Sequence, residues 1–295
     1  MSAIKDILAK YHSKIAALDL ELLIASTINK PREFVLAHPE YKIPVTRNPK
    51  LEAWIKRRME HEPIAYILGQ KEFYGLNFRV NKNTLIPRPE TELLVEKVIS
   101  YLQLVNGKNK KITIVDIGTG SGNIIITLAK LWTSDVQKRH PLSFYGIDIS
   151  AKALAVAQKN STLHKVNKAI KFLQGSLLEP ILKNTRYQIP DTRYLVVANL
   201  PYLSKSIYAG VSRDIKKYEP KSALLSGKNG LAHYEKLLIQ IKKLSVVGCR
   251  LSVFMEISPE QKSALQKLLK SFFLKVKIAF HRDLSGRWRV CQIEL

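Results

Sequence analysis

Cysteine is scarce in this chain of 295 residues, which contains only Cys249 and Cys291. Neither belongs to a C-x-x-C pair or has a histidine close by in the sequence, so the pattern argues against a structural zinc site and a disulfide framework. No metal is expected. We predict that both cysteines are buried apolar thiols in a protein of the cytoplasm, where thiols stay reduced.

Long apolar runs are also missing from the sequence. No stretch approaches the roughly 20 apolar residues that a membrane-spanning helix requires, so we predict no membrane partner. Residues 1–14 have mixed charge and lack the apolar core of a secretory signal. A mitochondrial presequence stays open, although Asp6 and the absence of arginine from this segment argue against it.

Acidic residues are few compared with basic ones: the chain has 24 Asp and Glu against 48 Lys and Arg, for a net charge of +24. One interpretation is electrostatic attraction to nucleic acid or to an acidic protein. The other is a lysine-rich surface produced by compositional bias. The basic residues are spread along the chain without a dense block, so both interpretations stay open and the charge names no partner.

What the chain does contain is a clear change of pattern along its length. Residues 1–70 show apolar side chains at helical spacing, divided by prolines into short helices. Residues 71–86 are predicted to form a β-hairpin linker, because aromatic residues flank a turn with glycine. In residues 87–295 strands alternate with helices, which is typical of a doubly wound α/β domain with a mostly parallel sheet.

The individual elements of this last part follow from apolar periodicity and turn residues. The predicted helices are Thr91–Tyr101, Gly122–Trp132, Ala151–Asn160, Leu231–Leu244 and Glu260–Lys270. The predicted strands are Ile112–Val115, Ser143–Ile147, Ile170–Gln174, Tyr194–Ala198, Arg250–Ile257, Leu274–Phe280 and Arg289–Glu294. Because no helix separates the last two strands, we expect them to close the sheet as an antiparallel hairpin.

A glycine-rich turn follows the first strand of this domain. Its residues are Gly118, Thr119, Gly120, Ser121 and Gly122. Glycines permit a tight turn and close approach of a ligand, and the next helix points free N–H groups at that ligand. Asp148 ends the next strand, where an acid can accept hydrogen bonds from ribose hydroxyls. Asn123 replaces the third glycine of the dinucleotide fingerprint, which favours S-adenosylmethionine over NAD. The alternative is a simple tight turn, with Asp148 capping the next helix.

A second motif, Asn199-Leu200-Pro201-Tyr202, follows a later apolar strand. The Asn199 side-chain oxygen and the Leu200 carbonyl can accept from the two N–H bonds of a planar NH2 group, and the Tyr202 ring can stack on its face. Pro201 would stiffen the loop. The alternative is an ordinary turn, since Asn and Pro both favour turns. Ligands bind at the carboxyl ends of the strands in a doubly wound sheet, so the two motifs are predicted to share one crevice.

Several blocks of the sequence resemble a known family, the protein-(glutamine-N5) methyltransferases that modify peptide chain release factors. They are Glu62–Gly69, Glu72–Gly75, Leu85–Glu92, Asp116–Gly122, Tyr218–Pro220 with Ala223-Leu224, and Arg282–Leu284 with Arg289-Val290. The resemblance implies a class I S-adenosylmethionine-dependent methyltransferase fold with a seven-stranded, mostly parallel sheet. It also implies a small helical N-terminal domain for substrate recognition, and as substrate the Gln of a Gly-Gly-Gln motif in a class I release factor.

The resemblance also assigns roles to individual residues. It implies that Gly118 to Gly122, Asp148, Leu177 and Asn199 bind the cofactor, and that Asn199 to Tyr202 bind the glutamine amide and act in catalysis. Arg88 stands between two prolines in the turn that precedes the catalytic domain. We expect it to brace the acceptor loop or to contact the substrate; the alternative is an ordinary surface arginine.

Two positions depart from the family pattern. Leu200 replaces the usual proline, but the role of that residue depends on its backbone carbonyl, which leucine also has. Ser176, before Leu177, replaces an acid expected near the adenine amino group. Asn-Leu-Pro-Tyr also resembles the motif of rRNA adenine dimethyltransferases, which suits the positive charge. Those enzymes, however, place their additional domain after the catalytic one, whereas here it comes first.

The remaining alternatives are an enzyme with a related substrate and a protein that has lost catalytic activity. A ribosomal-protein glutamine methyltransferase is disfavoured by the turn Ile86-Pro87-Arg88-Pro89-Glu90. An adaptor that has lost catalysis is disfavoured because Asn199, Tyr202 and the three glycines are present. We therefore expect an enzyme that acts as a monomer on a release factor, with nucleic acid as a partner left open.

Overall fold

The computed structural model describes residues 2–44, 47–105, 112–132, 142–184, 192–227, 229–245 and 249–295. Contacts between Cα atoms divide the chain into two units. The first contains Met1–Gln70 and Ser212–Tyr218, and the second contains Lys71–Val211 and Glu219–Leu295. The predicted β-hairpin therefore groups with the sheet-containing unit. The division of function at residues 70 and 86 stays a prediction.

Five helices form the start of the first unit, in agreement with the predicted helical segment. They are α1 (Ile4–Tyr11), α2 (Ala17–Ile28), α3 (Arg32–Ala37), α4 (Asn48–Met59) and α5 (Ile64–Leu68). Helix α2 lies at the centre of their core, because its Leu20, Leu23 and Ile24 are fully buried. Asn29 ends α2 in the left-handed conformation, which asparagine tolerates better than most residues.

The segment Ser212–Tyr218 belongs to this first unit although it is distant in sequence. The Tyr218 hydroxyl donates a hydrogen bond of 2.9 Å to the Glu60 carbonyl at the end of α4. Sequence analysis did not anticipate this packing, because periodicity describes a segment and not the partner on which it packs. The insertion means that the chain leaves the second unit after the acceptor motif and then returns to it.

A two-stranded hairpin opens the second unit, as predicted. Strands β1 (Gln70–Phe73) and β2 (Leu76–Arg79) are joined by Tyr74 and Gly75, whose φ angles of 52° and 72° are both positive. Two positive φ angles in a two-residue turn match the right-handed twist of the strands. The Tyr74 backbone N–H donates to Glu92 over 2.8 Å.

The rest of the second unit alternates strands and helices. Its strands are β3 (Ile112–Ile117), β4 (Leu142–Asp148), β5 (Ile170–Gln174), β6 (Arg193–Ala198), β7 (Arg250–Glu256), β8 (Lys277–Arg282) and β9 (Trp288–Glu294). Its helices are α6 (Glu92–Val105), α7 (Asn123–Trp132), α8 (Ala151–Leu163), α9 (Glu179–Leu182), α10 (Lys205–Gly210), α12 (Ala232–Ser245) and α13 (Lys262–Phe272), while α11 (Arg213–Tyr218) lies in the first unit.

These seven strands form one sheet in the order β5-β4-β3-β6-β7-β9-β8. The pairs from β5 to β7 are parallel, and β9 is antiparallel to both β7 and β8. The predicted doubly wound, mostly parallel sheet with an antiparallel edge is therefore confirmed. The chain places β4 and β5 on one side of β3 and then places β6 and β7 on the other side. The strand order therefore changes direction between β3 and β6, and ligands bind at such a point in sheets of this type.

Apolar side chains cover both faces of the sheet. Along β3, Ile114 packs into a core with α6 and α7, while the next residue, Val115, packs into the core that contains α12 and α13. Strands buried on both faces are continuous apolar runs, and this is why they were readily identified in the sequence. Both cysteines are buried, as predicted, and burial raises the pKa of the Cys291 thiol to about 12.

Three details of the predicted elements are wrong. Thr91 does not begin α6 but lies in a short 3₁₀ turn, Pro89–Thr91, because Pro89 favours the first turn of a helix and starts it earlier. Leu274 is fully exposed and precedes β8 rather than forming its start. The short helices α9, α10 and α11 were missed, because four to six residues are too few to establish a period.

No helix in the described residues is long and apolar enough to cross a membrane. Within the same described ranges, no three His, Cys, Asp or Glu side chains are grouped so that they could hold a metal ion.

Close packing of α7 on α8 requires a glycine at position 122. A Cβ atom there would lie 2.7 Å from Ile126 Cδ1 and 3.2 Å from Ala157 Cβ, and the φ angle of 81° is unfavourable for other residues. We expect Gly122→Ala to lower the free energy of unfolding by about 3 kcal/mol. Gly75→Ala is the matched control: its φ is 72° with nothing within 4 Å, so the expected loss is about 1 kcal/mol.

Urea-induced unfolding followed by far-UV circular dichroism measures both losses in the full chain. Equal losses for Gly122→Ala and Gly75→Ala would show that the backbone angle, and not the contact between the helices, is the constraint at Gly122.

Candidate active site

The glycine-rich loop and the Asn-Leu-Pro-Tyr loop lie side by side at the carboxyl edge of the sheet. Strands β3 and β6 are neighbours, and Ile117 pairs with Ala198, so Gly118 and Asn199 both leave the sheet at the same level. A Cβ atom on Gly118 would lie 3.7 Å from Leu200 Cδ2 and 4.0 Å from the Asn199 carbonyl oxygen. The two motifs therefore lie next to each other, as predicted, and their sharing of one ligand crevice stays a prediction.

The backbone of the glycine-rich loop is folded back on the end of β4. Gly118 and Thr119 both donate their N–H to the Ile147 carbonyl, over 2.8 and 2.9 Å. Gly118 and Gly120 have positive φ angles of 71° and 55°, which residues other than glycine rarely adopt. The nearest atom to a Cβ built on Gly120 is the Gly118 carbonyl oxygen at 3.8 Å, so this glycine leaves the loop surface open for close approach of a cofactor.

Asp148 holds the loop at the end of β4. Its carboxylate accepts hydrogen bonds from the Gly120 and Ser150 backbone N–H groups, each over 2.9 Å. Burial raises the pKa of Asp148, and these backbone donors oppose the rise. The residue that caps α8 is Ser150, whose hydroxyl accepts from the Ala153 N–H, so capping of that helix does not account for Asp148. An acid in this place fits the ribose of S-adenosylmethionine.

The remaining predicted cofactor residue, Leu177, follows β5 beside this edge. It is buried and has a φ angle of 55°, an uncommon conformation for a leucine. Ile149, which sequence analysis did not select, follows Asp148 directly and is 69% exposed. The Gly175 N–H donates to the Asp148 carbonyl over 3.0 Å, which joins the two strand ends. Apolar side chains at these two strand ends suit a flat, weakly polar ring such as adenine.

Ser121 completes the loop at the start of α7. Its carbonyl accepts a hydrogen bond of 2.8 Å from Asn160 Nδ2, and the same amide nitrogen donates to the Arg79 carbonyl over 3.0 Å. The open surface at Gly120, the accepting carboxylate of Asp148 and the N–H groups at the adjacent helix start together fit S-adenosylmethionine.

In the acceptor motif, the orientation of the Asn199 side chain is set by a neighbour. Asn199 Nδ2 donates to Thr91 Oγ1 over 3.1 Å, which leaves Asn199 Oδ1 as the end of the amide available to accept. Leu200 is 3% exposed and packs into the core, so its side chain is held while its carbonyl lies in the loop. Pro201 and Tyr202 are partly buried.

A buried glutamine clamps the other end of the motif. Gln261 Nε2 donates to the Tyr202 carbonyl over 3.1 Å and to the Gly230 carbonyl over 2.8 Å, and its oxygen accepts from the Ser258 N–H. A Cβ atom on Gly230 would lie 2.3 Å from the Tyr202 oxygen, so this glycine leaves room for the loop. The sequence signal for Gln261 was weak, since a lone glutamine near a helix start is usually a surface residue.

Two buried carboxyl groups lie near the carboxyl ends of β3 and β7, the strands on either side of β6. Asp116, one residue before the end of β3, accepts a hydrogen bond of 2.7 Å from the Thr119 hydroxyl. Glu256 is the last residue of β7. Burial raises the pKa of each to about 7. Burial also raises the pKa of Tyr202, and the nearby Glu256 charge adds to the rise. Glu256 was not among the predicted site residues, although it ends an apolar strand as Asp148 does.

Arg88 forms an ion pair with a buried glutamate. Its Nη2 atom lies 2.5 Å from Glu219 Oε1, and the Glu219 side chain is 1% exposed. Glu219 Oε2 also accepts from the Ile86 N–H over 3.3 Å. Arg88 therefore braces the turn before α6 and is not a free surface side chain. Its bracing of the acceptor loop and its contact with a substrate stay predictions.

Family models match two parts of the chain. Residues 2–69 match the PrmC N-terminal domain, and residues 108–214 match a methyltransferase domain.

Similar proteins extend over nearly the whole chain. A release factor glutamine methyltransferase of Dictyoglomus turgidum is 36% identical over 94% of this chain and 91% of its own length. Proteins of the same name from Clostridium botulinum and Bacillus subtilis are 34% and 31% identical, each over 92% of this chain and 90% of its own length.

Solved structures add a more distant similarity. The N-terminal domain of human METTL16 in complex with SAH has a TM-score of 0.51 at 13% identity and covers 93% of each chain. The hMettl16 catalytic domain in complex with the MAT2A 3′UTR hairpin 6 has a TM-score of 0.50 at 16% identity, over 84% of this chain and 81% of that one. At this identity the likeness concerns the fold, which is that of a class I methyltransferase.

Asp148 offers a direct test of the cofactor site. We expect Asp148→Asn to weaken S-adenosylmethionine binding about tenfold, or ~1.4 kcal/mol, because an amide NH2 would replace one carboxylate oxygen that accepts from backbone N–H groups. Glu179→Gln, an acid on the nearby α9, is the control and should bind like the wild type. Isothermal titration calorimetry measures both; unchanged affinity in Asp148→Asn would remove Asp148 from the cofactor site.

Proposed function

The chain belongs to the family of release factor glutamine methyltransferases, and we propose that it methylates the side-chain amide nitrogen (N5) of the Gln in the Gly-Gly-Gln motif of a class I release factor. The family relationship rests on relatives 31–36% identical over most of the chain. It makes the protein an S-adenosylmethionine-dependent methyltransferase that acts on a release factor glutamine. The choice of nitrogen and tripeptide rests on the family blocks in the sequence.

One observation supports the assignment of the acceptor residues more than any other. Asn199 leaves β6 beside Gly118 of the cofactor loop, and its amide nitrogen is bonded to Thr91, so the side-chain oxygen is the end available to an incoming N–H group. We assign Asn199 Oδ1 and the Leu200 carbonyl as acceptors for the two N–H bonds of the substrate amide.

This arrangement answers the chemical difficulty of the reaction. An amide nitrogen is a poor nucleophile, because its lone pair is delocalised into the carbonyl group. S-adenosylmethionine, when bound, supplies an electrophilic methyl group on a positively charged sulfur. Two acceptors on the N–H bonds draw the nitrogen toward a pyramidal geometry and direct its lone pair away from them. Tyr202 stacks on the amide plane, and Pro201 stiffens the loop, so orientation of the substrate supplies much of the rate enhancement.

The same proposal assigns roles to the remaining predicted residues. Gly118, Thr119, Gly120, Ser121 and Gly122 form the cofactor loop, Asp148 accepts from the ribose, and Leu177 contacts the adenine. Arg88, held by Glu219, keeps the turn before α6 in place. Residues 1–70 recognise the release factor, residues 71–86 link the domains, and residues 87–295 catalyse the reaction. We propose that the enzyme acts as a monomer in the cytoplasm, where release factors function.

The alternative interpretations are not favoured. Methylation of an rRNA adenine was suggested by Leu200 and by the net charge of +24. The similar proteins named for release factor glutamine methylation span the N-terminal helical segment as well as the catalytic part. Loss of catalysis in an adaptor is not favoured either, because the glycines, Asn199 and Tyr202 lie together at the carboxyl edge of the sheet.

A methyl-transfer assay tests the proposal. The purified full chain and radiolabelled S-adenosylmethionine are offered a class I release factor, its Gly-Gly-Ala variant and ribosomal RNA in parallel. We expect label on the release factor only, and none on the variant that lacks the glutamine. Asn199→Ala should lower kcat at least about 10²-fold while S-adenosylmethionine affinity changes by less than about threefold, since the substrate amide loses its orientation.

Asn77→Ala, an exposed asparagine in the hairpin, is the matched control and should retain full activity. Label on RNA alone would overturn the assignment of the substrate. Turnover by Asn199→Ala at the wild-type rate would overturn the assignment of the acceptor site.

A further inference from the structure

We propose that Thr91 and Glu256 are positioning residues that select the productive orientation of the Asn199 amide, with its oxygen toward the substrate nitrogen. This inference rests on the proposed function and deepens it, since it concerns how the acceptor site is set and not which molecule is methylated. Neither residue touches the reacting atoms in this scheme. Both act through Asn199.

Strand pairing places the three groups together. Ala198 on β6 pairs with Met255 on β7 in parallel register, so the next residues, Asn199 and Glu256, leave the two strands side by side. Thr91, in the 3₁₀ turn before α6, is 1% exposed and accepts the hydrogen bond of 3.1 Å from Asn199 Nδ2. The Thr91 side chain also opposes the rise of the Glu256 pKa, and from this interaction we infer that its hydroxyl donates to the Glu256 carboxylate. In this proposal the polar contacts run from Asn199 through Thr91 to Glu256.

The direction of these bonds matters because an amide has two unlike ends. A hydroxyl group has one proton to donate, and an ionised carboxylate can only accept. When the Thr91 hydroxyl donates its hydrogen bond to Glu256, only its lone pairs face Asn199. It therefore accepts a hydrogen bond from the NH2 end of the Asn199 amide. If the Thr91 hydroxyl donated to Asn199 instead, the amide oxygen would turn toward Thr91. The NH2 group would then face the substrate N–H bonds, and two donors cannot form a hydrogen bond with each other.

Glu256 is an unexpected group to bury for structural reasons alone. It is 2% exposed, and its Oε2 atom has no hydrogen-bond partner within the described part of the chain. A buried carboxyl group with an unsatisfied oxygen costs stability, and an apolar side chain of similar size would avoid that cost. A role in setting the acceptor site gives a reason for its presence.

The groups around Glu256 place its titration in the working pH range. Burial raises its pKa to about 7; the Thr91 hydroxyl, Arg289 of β9 and Arg88 oppose the rise, and Glu90 adds to it. Tyr202 and Tyr234 also face it, and the Tyr234 hydroxyl donates to the Glu256 carbonyl. Above this pH the carboxylate can only accept. Below it the added proton can be donated to Thr91, so the orientation of Asn199 is less strictly selected.

Substitution at Thr91 tests the hydroxyl. We expect Thr91→Val, which has the same shape without the hydroxyl, to lower kcat for the release factor at least about tenfold and to leave KM for S-adenosylmethionine unchanged within about twofold. Thr91→Ser restores the hydroxyl and should recover most of the wild-type kcat. Wild-type kcat in Thr91→Val, or a loss in Thr91→Ser as large as that in Thr91→Val, would overturn the proposal.

Substitution at Glu256 tests the carboxylate. In the wild type we expect kcat to rise with pH through about 7, because the deprotonated form is the one that orients Thr91. Glu256→Gln offers Thr91 both a donor and an acceptor at every pH, so its kcat should be low and should lack this rise. A Glu256→Gln enzyme with wild-type kcat and the same pH profile would contradict the role assigned to the carboxylate.

A measurement without substrate separates this inference from the proposed function. In protein labelled with ¹⁵N-asparagine, the Asn199 side-chain NH2 signal is identified by its loss in Asn199→Ala. The Nδ2 hydrogen that is bonded to Thr91 should exchange slowly in the wild type and in Thr91→Ser and at least about tenfold faster in Thr91→Val, where its acceptor is gone. Equal exchange rates in the three proteins would overturn the inference even if the release factor is methylated; no methylation by the wild type would instead overturn the proposed function.

Discussion

The parallel pairing of β3 with β6 is the interaction on which the rest of the site depends. Their register joins Ile117 to Ala198, and the glycine-rich loop and the Asn199 to Tyr202 loop begin directly after these two strands. The pairing joins segments about 80 residues apart, and it marks the place where strand order reverses. A shift in this register would separate the cofactor loop from the acceptor loop and leave each motif locally intact.

Around this pair the protein holds polar groups by burying them with partners. The Gly120 N–H bonds the Asp148 carboxylate, Asn199 bonds Thr91, and the Tyr202 carbonyl bonds Gln261. Hydrogen bonds in a region with little water are costly to break, because the freed groups find no replacement partner. The two loops are therefore held in place by contacts between distant parts of one unit.

The departures from the family pattern become understandable in this setting. Leu200 takes the place of a proline, yet its side chain is buried in the core and lies near Gly118. Core packing restrains the loop at a position where a proline ring would otherwise restrain the backbone.

Sequence alone determined the class of fold and both loops of the site. Strands buried on both faces and helices with one apolar face leave periodic signals, and the glycines, Asp148 and Asn199 to Tyr202 occur in short local patterns. Only the tertiary structure decided the partners: Thr91 for Asn199, Glu219 for Arg88, Gln261 for Tyr202, and the packing of Ser212–Tyr218 in the first unit. The physical reason is that periodicity and turn chemistry act between near neighbours in the chain, whereas these contacts depend on strand order and register, which no local segment contains.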